Sequence, residues 1–152
     1  MNIEKIYFVY YALIMAMLAL IPLPSHAGYA LVAHTVSYHD KRDFGLNERN
    51  PGIGVRYSLD DIDIQIGRYK NSYKVQSNYA LIDYFRYNLG SFKLGGFAAI
   101  ATGYDCQGYK YAAGPGLVGR YAYNPFDVTV RFIPRDKAKN SNVTSLEFSY
   151  SF

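Results

Sequence analysis

Apolar and polar residues alternate with period two over most of the chain beyond residue 28, and the 3.6-residue spacing of an amphipathic helix is nearly absent. The C-terminal segment shows the pattern most clearly. Leu146, Phe148, Tyr150 and Phe152 fall on one face, and Ser145, Glu147, Ser149 and Ser151 on the other. The stretch DIDIQI repeats it, with Ile62, Ile64 and Ile66 set against Asp61, Asp63 and Gln65. Eight strands are predicted, at about 29–39, 51–58, 61–69, 77–87, 91–103, 110–122, 127–134 and 142–152.

The joints between these strands alternate in length. Those after strands two, four and six are short (LDD, NLG, NPFD). Those after one, five and seven are longer and more polar (DKRDFGLNERN, YDCQGYK, RDKAKNSN), with KNSYKVQ intermediate. Short turns at one end and long loops at the other characterise bacterial outer-membrane barrels. A secreted lipocalin-like barrel would instead turn its apolar face inward around a ligand. The position of charge separates the two. Arg56, Asp63, Asp83, Arg131 and Glu147 lie opposite the best apolar stripes, and an arginine facing lipid near the midplane costs ~2–4 kcal/mol. The fold expected is therefore all-β, an eight-stranded antiparallel transmembrane β-barrel with charges inside and aliphatic stripes in lipid.

Residues 1–27 stand apart from this pattern. A lysine near the start, a long apolar run, the Pro22 and Pro24 break and the end Ser25-His26-Ala27 read as a cleaved signal peptide. Residues 28–152 then form one domain, placed in the bacterial outer membrane as a monomer. The composition agrees with strands and turns: 17 Tyr, 9 Phe and 13 Gly with no Trp. A net charge of +4 suits an anionic lipid surface and is too small and dispersed for nucleic acid. Cys106 is the only cysteine, so an internal disulfide is excluded. No metal-ligand spacing or phosphate loop occurs. GPGLVG at 114–119 lacks the strand-to-helix setting of a dinucleotide site, and Asn142-Val143-Thr144 is a bare sequon. Neither a cofactor nor a metal is expected.

Eight strands enclose space for packed side chains or one small ligand, which excludes a wide pore. Arg56 and Asp63 fall toward the short-turn end and Ala99 and Ala101 toward the long-loop end. Room for an apolar chain is expected in the outer half, above a polar plug. Pro51, Pro115 and Pro134 lie at or near strand ends, where each removes a ladder donor and loosens a strand pair. His34, late in the first strand, points toward the rim that carries Asn71 and Ser72. A histidine beside a serine suits acyl transfer, whereas Asn71-Ser72 read alone is a turn closed by side-chain hydrogen bonds. His39, next to Asp40-Lys41-Arg42, is expected in a solvated loop.

In order and spacing, the His34 strand, NERNPG at 47–52, YKNSY at 69–73, FKLGGFAAIATGYD at 92–105, VTVRFIP at 128–134 and NVTSLEFSYSF at 142–152 resemble the outer-membrane lipid A palmitoyltransferase (PagP) family. The resemblance covers nearly all of residues 28–152. It implies transfer of palmitate from a phospholipid to lipid A, with His34 and Ser72 at the positions of the family's catalytic histidine and serine and Asn71 at that of its aspartate. It further implies lateral lipid access beside Pro51, Pro115 and Pro134, an acyl-pocket floor at Asp83, and lipid A phosphates meeting Arg42, Arg49, Lys70 and Lys74. The chain departs from the family in Asn71, which carries no charge, in the carboxylate of Asp83 at a place that holds a small residue, and in starting its first strand without a preceding amphipathic helix. The residues also allow lipid hydrolysis, with water as the acceptor at the same positions, and, as a different class, a non-catalytic surface barrel acting in host or envelope interaction.

Overall fold

The computed structural model describes residues 27–41, 45–105, 108, 110–135 and 141–152. The signal-peptide reading and Cys106 lie outside these residues. Eight strands follow in order: β1 (Ala27–His39), β2 (Arg49–Leu59), β3 (Ile62–Lys70), β4 (Gln76–Leu89), β5 (Phe92–Thr102), β6 (Tyr111–Tyr123), β7 (Phe126–Ile133) and β8 (Val143–Ser151). Each pairs antiparallel with its sequence neighbours, and β1 pairs with β8 to close the barrel. The eight predicted strands are all present, and among the described residues there is no helix long and apolar enough to cross a membrane.

Two-residue turns at 60–61, 90–91 and 124–125 connect the strands at one end. Asp60 (φ 46°) and Gly90 (φ 64°) take the left-handed conformation that such tight reversals require. The longer connections gather at the other end, as expected.

The outside of the wall is apolar. Leu31, Ile53, Ile64, Ile66, Ile82, Ile100, Leu117 and Val130 are exposed along its middle. Aromatic rings crowd the short-turn end, where Tyr29–Tyr57, Phe92–Tyr121 and Phe126–Tyr150 pair across strands with centroids 5.0, 4.7 and 5.4 Å apart.

The inside is charged. Arg56 grips Asp127 in a bidentate pair at 3.0 and 2.5 Å. Asp127 is also held by the Ser149 hydroxyl at 2.6 Å. Asp63 bridges Arg56, at 3.7 Å, and Arg120. Asp83 in turn lies between Arg120, at 3.4 Å, and Arg131, at 2.6 Å. Arg131 reaches Glu147, whose other oxygen is 3.2 Å from His34 Nδ1. The guanidinium groups of Arg120 and Arg131 also lie over Phe85 and Phe97, 4.7 and 5.5 Å from the ring centroids. Charges of alternating sign thus fill the short-turn half of the lumen. Arg56, Asp63, Asp83, Arg131 and Glu147 are all buried there, while Arg120 and Asp127 join them from positions the sequence reading did not single out.

A buried pair broken on one side leaves the other charge stranded, at a cost of roughly 3–5 kcal/mol. Arg131→Met removes the partner shared by Asp83 and Glu147, and a drop of about that size is expected in the unfolding free energy of the micelle-embedded barrel, measured by urea titration.

Candidate functional site

Strand β1 carries the feature that assembles the site. Ala30, Val32 and His34 face inward, yet Val36 and Tyr38 face outward and Ser37 and His39 inward. The phase changes at Thr35, which is skipped in the ladders to both β2 and β8. Its hydroxyl donates to the Leu146 carbonyl at 2.9 Å, holding the extra residue in place. One residue inserted into a strand turns every later side chain to the opposite face. His39 therefore enters the lumen and is 2% exposed. This corrects the expectation of a solvated loop histidine.

Inside the rim, His39 Nε2 lies 2.9 Å from Ser72 Oγ. That distance suits a hydroxyl nucleophile and its general base. His34 is engaged elsewhere. Its Nε2 meets the Tyr79 hydroxyl at 2.6 Å and its Nδ1 meets Glu147 at 3.2 Å, so both ring nitrogens are occupied. Ser72 is thus bonded to His39 and not to His34, the histidine expected beside it. Tyr79 approaches His34 across the inner wall of β2 and β3, and a Cβ on Gly54 would strike its hydroxyl.

Asn71 is completely buried, and its side chain is committed to the loop. Its Oδ1 accepts from the Tyr73 and Val75 main-chain N–H groups at 2.9 and 3.0 Å, closing the turn. Its Nδ2 donates to Ser77 Oγ at 3.0 Å and to the Gly103 carbonyl at 2.7 Å. Two of these four bonds need N–H donors, which an aspartate lacks. The uncharged residue at 71 thus fits its surroundings, and it anchors the peptide that carries Ser72.

The Ser72–His39 pair stands at the mouth of a cavity of about 420 Å³ in the long-loop half of the barrel. Leu81, Phe97, Ala99, Ala101, Gly114 and Ile133 form its apolar wall, and His34, Tyr79, Glu147 and Arg131 its polar side. The volume lies within the 300–1,000 Å³ or so typical of small-molecule sites. Asp83 does not line this space. It is fully buried and held by Arg131 and Arg120, while Arg131 and Phe97 do line the cavity.

The wall beside the cavity is incompletely paired. The β6–β7 ladder ends at Leu117–Phe132, leaving residues 111–116 of β6 without a β7 partner. Pro115 sits within this stretch, as the fifth residue of β6, and Pro134 follows β7. Likewise β2–β3 pairing stops at Gly52–Tyr69, and Pro51 lies just beyond. There Asn50 bridges the gap, accepting from the Ser37 hydroxyl at 2.6 Å and donating to the Lys70 carbonyl at 2.9 Å.

Above the site the long-loop ends are tied together. The Asp40 carboxylate accepts from the Ser141 hydroxyl at 2.5 Å and from the Asn142 main-chain and amide N–H groups at 3.0 and 2.5 Å. These bonds, the Ser141 hydroxyl foremost, hold its carboxyl below the ordinary value of 3.8. Among the described residues no cluster of metal-ligating side chains occurs. Arg42 lies outside the described residues. A scan against protein-family models and a search of curated proteins find no match to this chain.

Asn71→Asp keeps the two acceptor bonds and loses both donor bonds. A loss of about 1–3 kcal/mol in unfolding free energy is expected by urea titration. Because the Asp40 carboxyl is depressed on folding, the clasp it forms is stabilised above pH 3.8 and weakens as pH falls through the lower folded value. Hydrogen exchange of the Asn142 amide, corrected for its intrinsic rate, is expected to hold steady down to that range and accelerate below it.

Proposed function

We propose that this chain is an outer-membrane lipid-modifying barrel that transfers an acyl chain, palmitate as the specific case, from a phospholipid to lipid A. The observation that carries the reading is the Ser72–His39 hydrogen bond at the mouth of an apolar cavity. An apolar exterior with charges sealed inside supports residence in a bilayer, the reverse of the arrangement in a water-soluble barrel. The unpaired stretch of β6 supports entry of an acyl chain from the side, since no ladder bonds need to break there.

In this reading the donor's acyl chain lies against Leu81, Phe97, Ala99 and Ile133 with its ester carbonyl at Ser72. Ser72 Oγ attacks that carbonyl while His39 Nε2 takes its proton. The ester C–O bond breaks, and His39 returns the proton to the departing glycerol oxygen. An acceptor hydroxyl then gives its proton to His39 and attacks the acyl carbon, the acyl–Oγ bond breaks, and His39 returns the proton to Ser72 Oγ. Exposed Arg49 and Lys74 and the half-buried Lys70, all on the long-loop rim, supply cations for the acceptor's phosphates. His34 forms part of the cavity wall.

Mass spectrometry of lipid A tests this directly, in a Gram-negative host lacking its own acyltransferase of this type. Expression of the chain is expected to add a palmitate-sized mass, and Ser72→Ala and His39→Ala are expected to reduce that product by roughly 10²- to 10⁴-fold, the range of general-base assistance. No gain from a barrel confirmed as folded in the outer membrane overturns acyl transfer to lipid A and moves the weight to lipid hydrolysis or the non-catalytic surface barrel.

A further inference from the structure

We propose that Glu48 is the positioning carboxylate of the Ser72–His39 pair, a role that rests on the acyl-transfer reading above. For Ser72 to surrender its proton to Nε2, His39 must carry its own proton on Nδ1. That nitrogen is sealed from solvent and has no hydrogen-bond partner among the described residues. A histidine buried to this extent with one ring nitrogen unsatisfied calls for an acceptor that swings in when the site is engaged.

Three residues are near enough in the chain or the loop to be considered. Asn71 carries no charge and has all four of its bonds committed to the loop and to Gly103. Asp40, adjacent to His39, has both carboxylate oxygens tied to Ser141 and Asn142. Glu48 remains. Its main-chain carbonyl accepts from the Ser37 N–H at 2.9 Å, which fixes its backbone beside the end of β1. Its Oε1 already rests on His39 itself, accepting from the main-chain N–H at a long 3.4 Å. No ion pair restrains it among the described residues. Exchange of that long bond for one to Nδ1–H, by rotation about the glutamate side chain, completes a serine, histidine, carboxylate relay with its acid drawn from the loop after β1. The negative charge then stabilises the imidazolium formed when Ser72 is deprotonated.

A fluorophosphonate probe reads the relay without any lipid substrate. Ser72 Oγ attacks phosphorus, the O–P bond forms, fluoride departs with the P–F electrons, and His39 takes the hydroxyl proton. Applied to the intact barrel in micelles, the probe is expected to label Ser72, identified by peptide mass spectrometry. Glu48→Gln is expected to slow labelling at least about tenfold and Glu48→Asp to restore much of the rate, with the electrophoretic heat-shift of both barrels unchanged. Wild-type labelling rates in Glu48→Gln overturn the role of Glu48 and leave the Ser72–His39 reading intact, whereas failure of the wild type to label overturns both. Should Glu48→Gln not fold, the wild type itself decides: a low-field Nδ1–H proton resonance from His39 in the labelled barrel supports the relay, and a bare Nδ1 with the proton on Nε2 overturns it.

Discussion

The lumen's ladder of alternating charges is the constraint on which the other features depend. An eight-stranded wall whose outer face is apolar leaves only the inside for Arg56, Asp63, Asp83, Arg120, Asp127, Arg131 and Glu147. Away from water each must find its opposite, and the pairs interlock because Asp63, Asp83 and Arg131 each serve two partners. These side chains are buried together in the short-turn half. The cavity lies in the other half, next to the long loops, where alanine, glycine, leucine, isoleucine and phenylalanine line one side and His34, Tyr79, Arg131 and Glu147 the other.

His34 marks the border between the two halves. It receives the last carboxylate of the ladder on one nitrogen and the hydroxyl of Tyr79 on the other. Its ring stacks on Tyr69 with centroids 5.5 Å apart. A histidine so fully engaged is suited to shaping and orienting a cavity, and the Ser72 hydroxyl at the rim is bonded to a different imidazole, that of His39.

Much of this was legible in the residue pattern. Period-two alternation located all eight strands, loop lengths sorted the two ends, and the placement of Arg56, Asp63, Asp83, Arg131 and Glu147 opposite the aliphatic stripes gave the polarity of the wall. The site was legible only as far as Ser72 and its rim. Counting by twos carries its phase forward unchanged, and nothing about Thr35 in the sequence signals that it is skipped by both neighbouring strands. His39 was therefore assigned the wrong surroundings. Asn71 illustrates a different limit. Matched against an aspartate it reads as a lost charge, whereas its four bonds show a residue chosen for donating as well as accepting.

The six residues of β6 that lack a partner on β7 also bear on how deeply such a barrel can sink. Main-chain N–H and C=O groups without partners are costly in hydrocarbon, where no water reaches them, and tolerable among hydrated head groups. Pro115 lowers the number of stranded donors by one and does not remove the rest. In a bilayer, residues 111–116 would thus act as a waterline, setting the long-loop half of the wall level with the head groups and bringing the cavity mouth to the height at which a phospholipid's ester linkages lie.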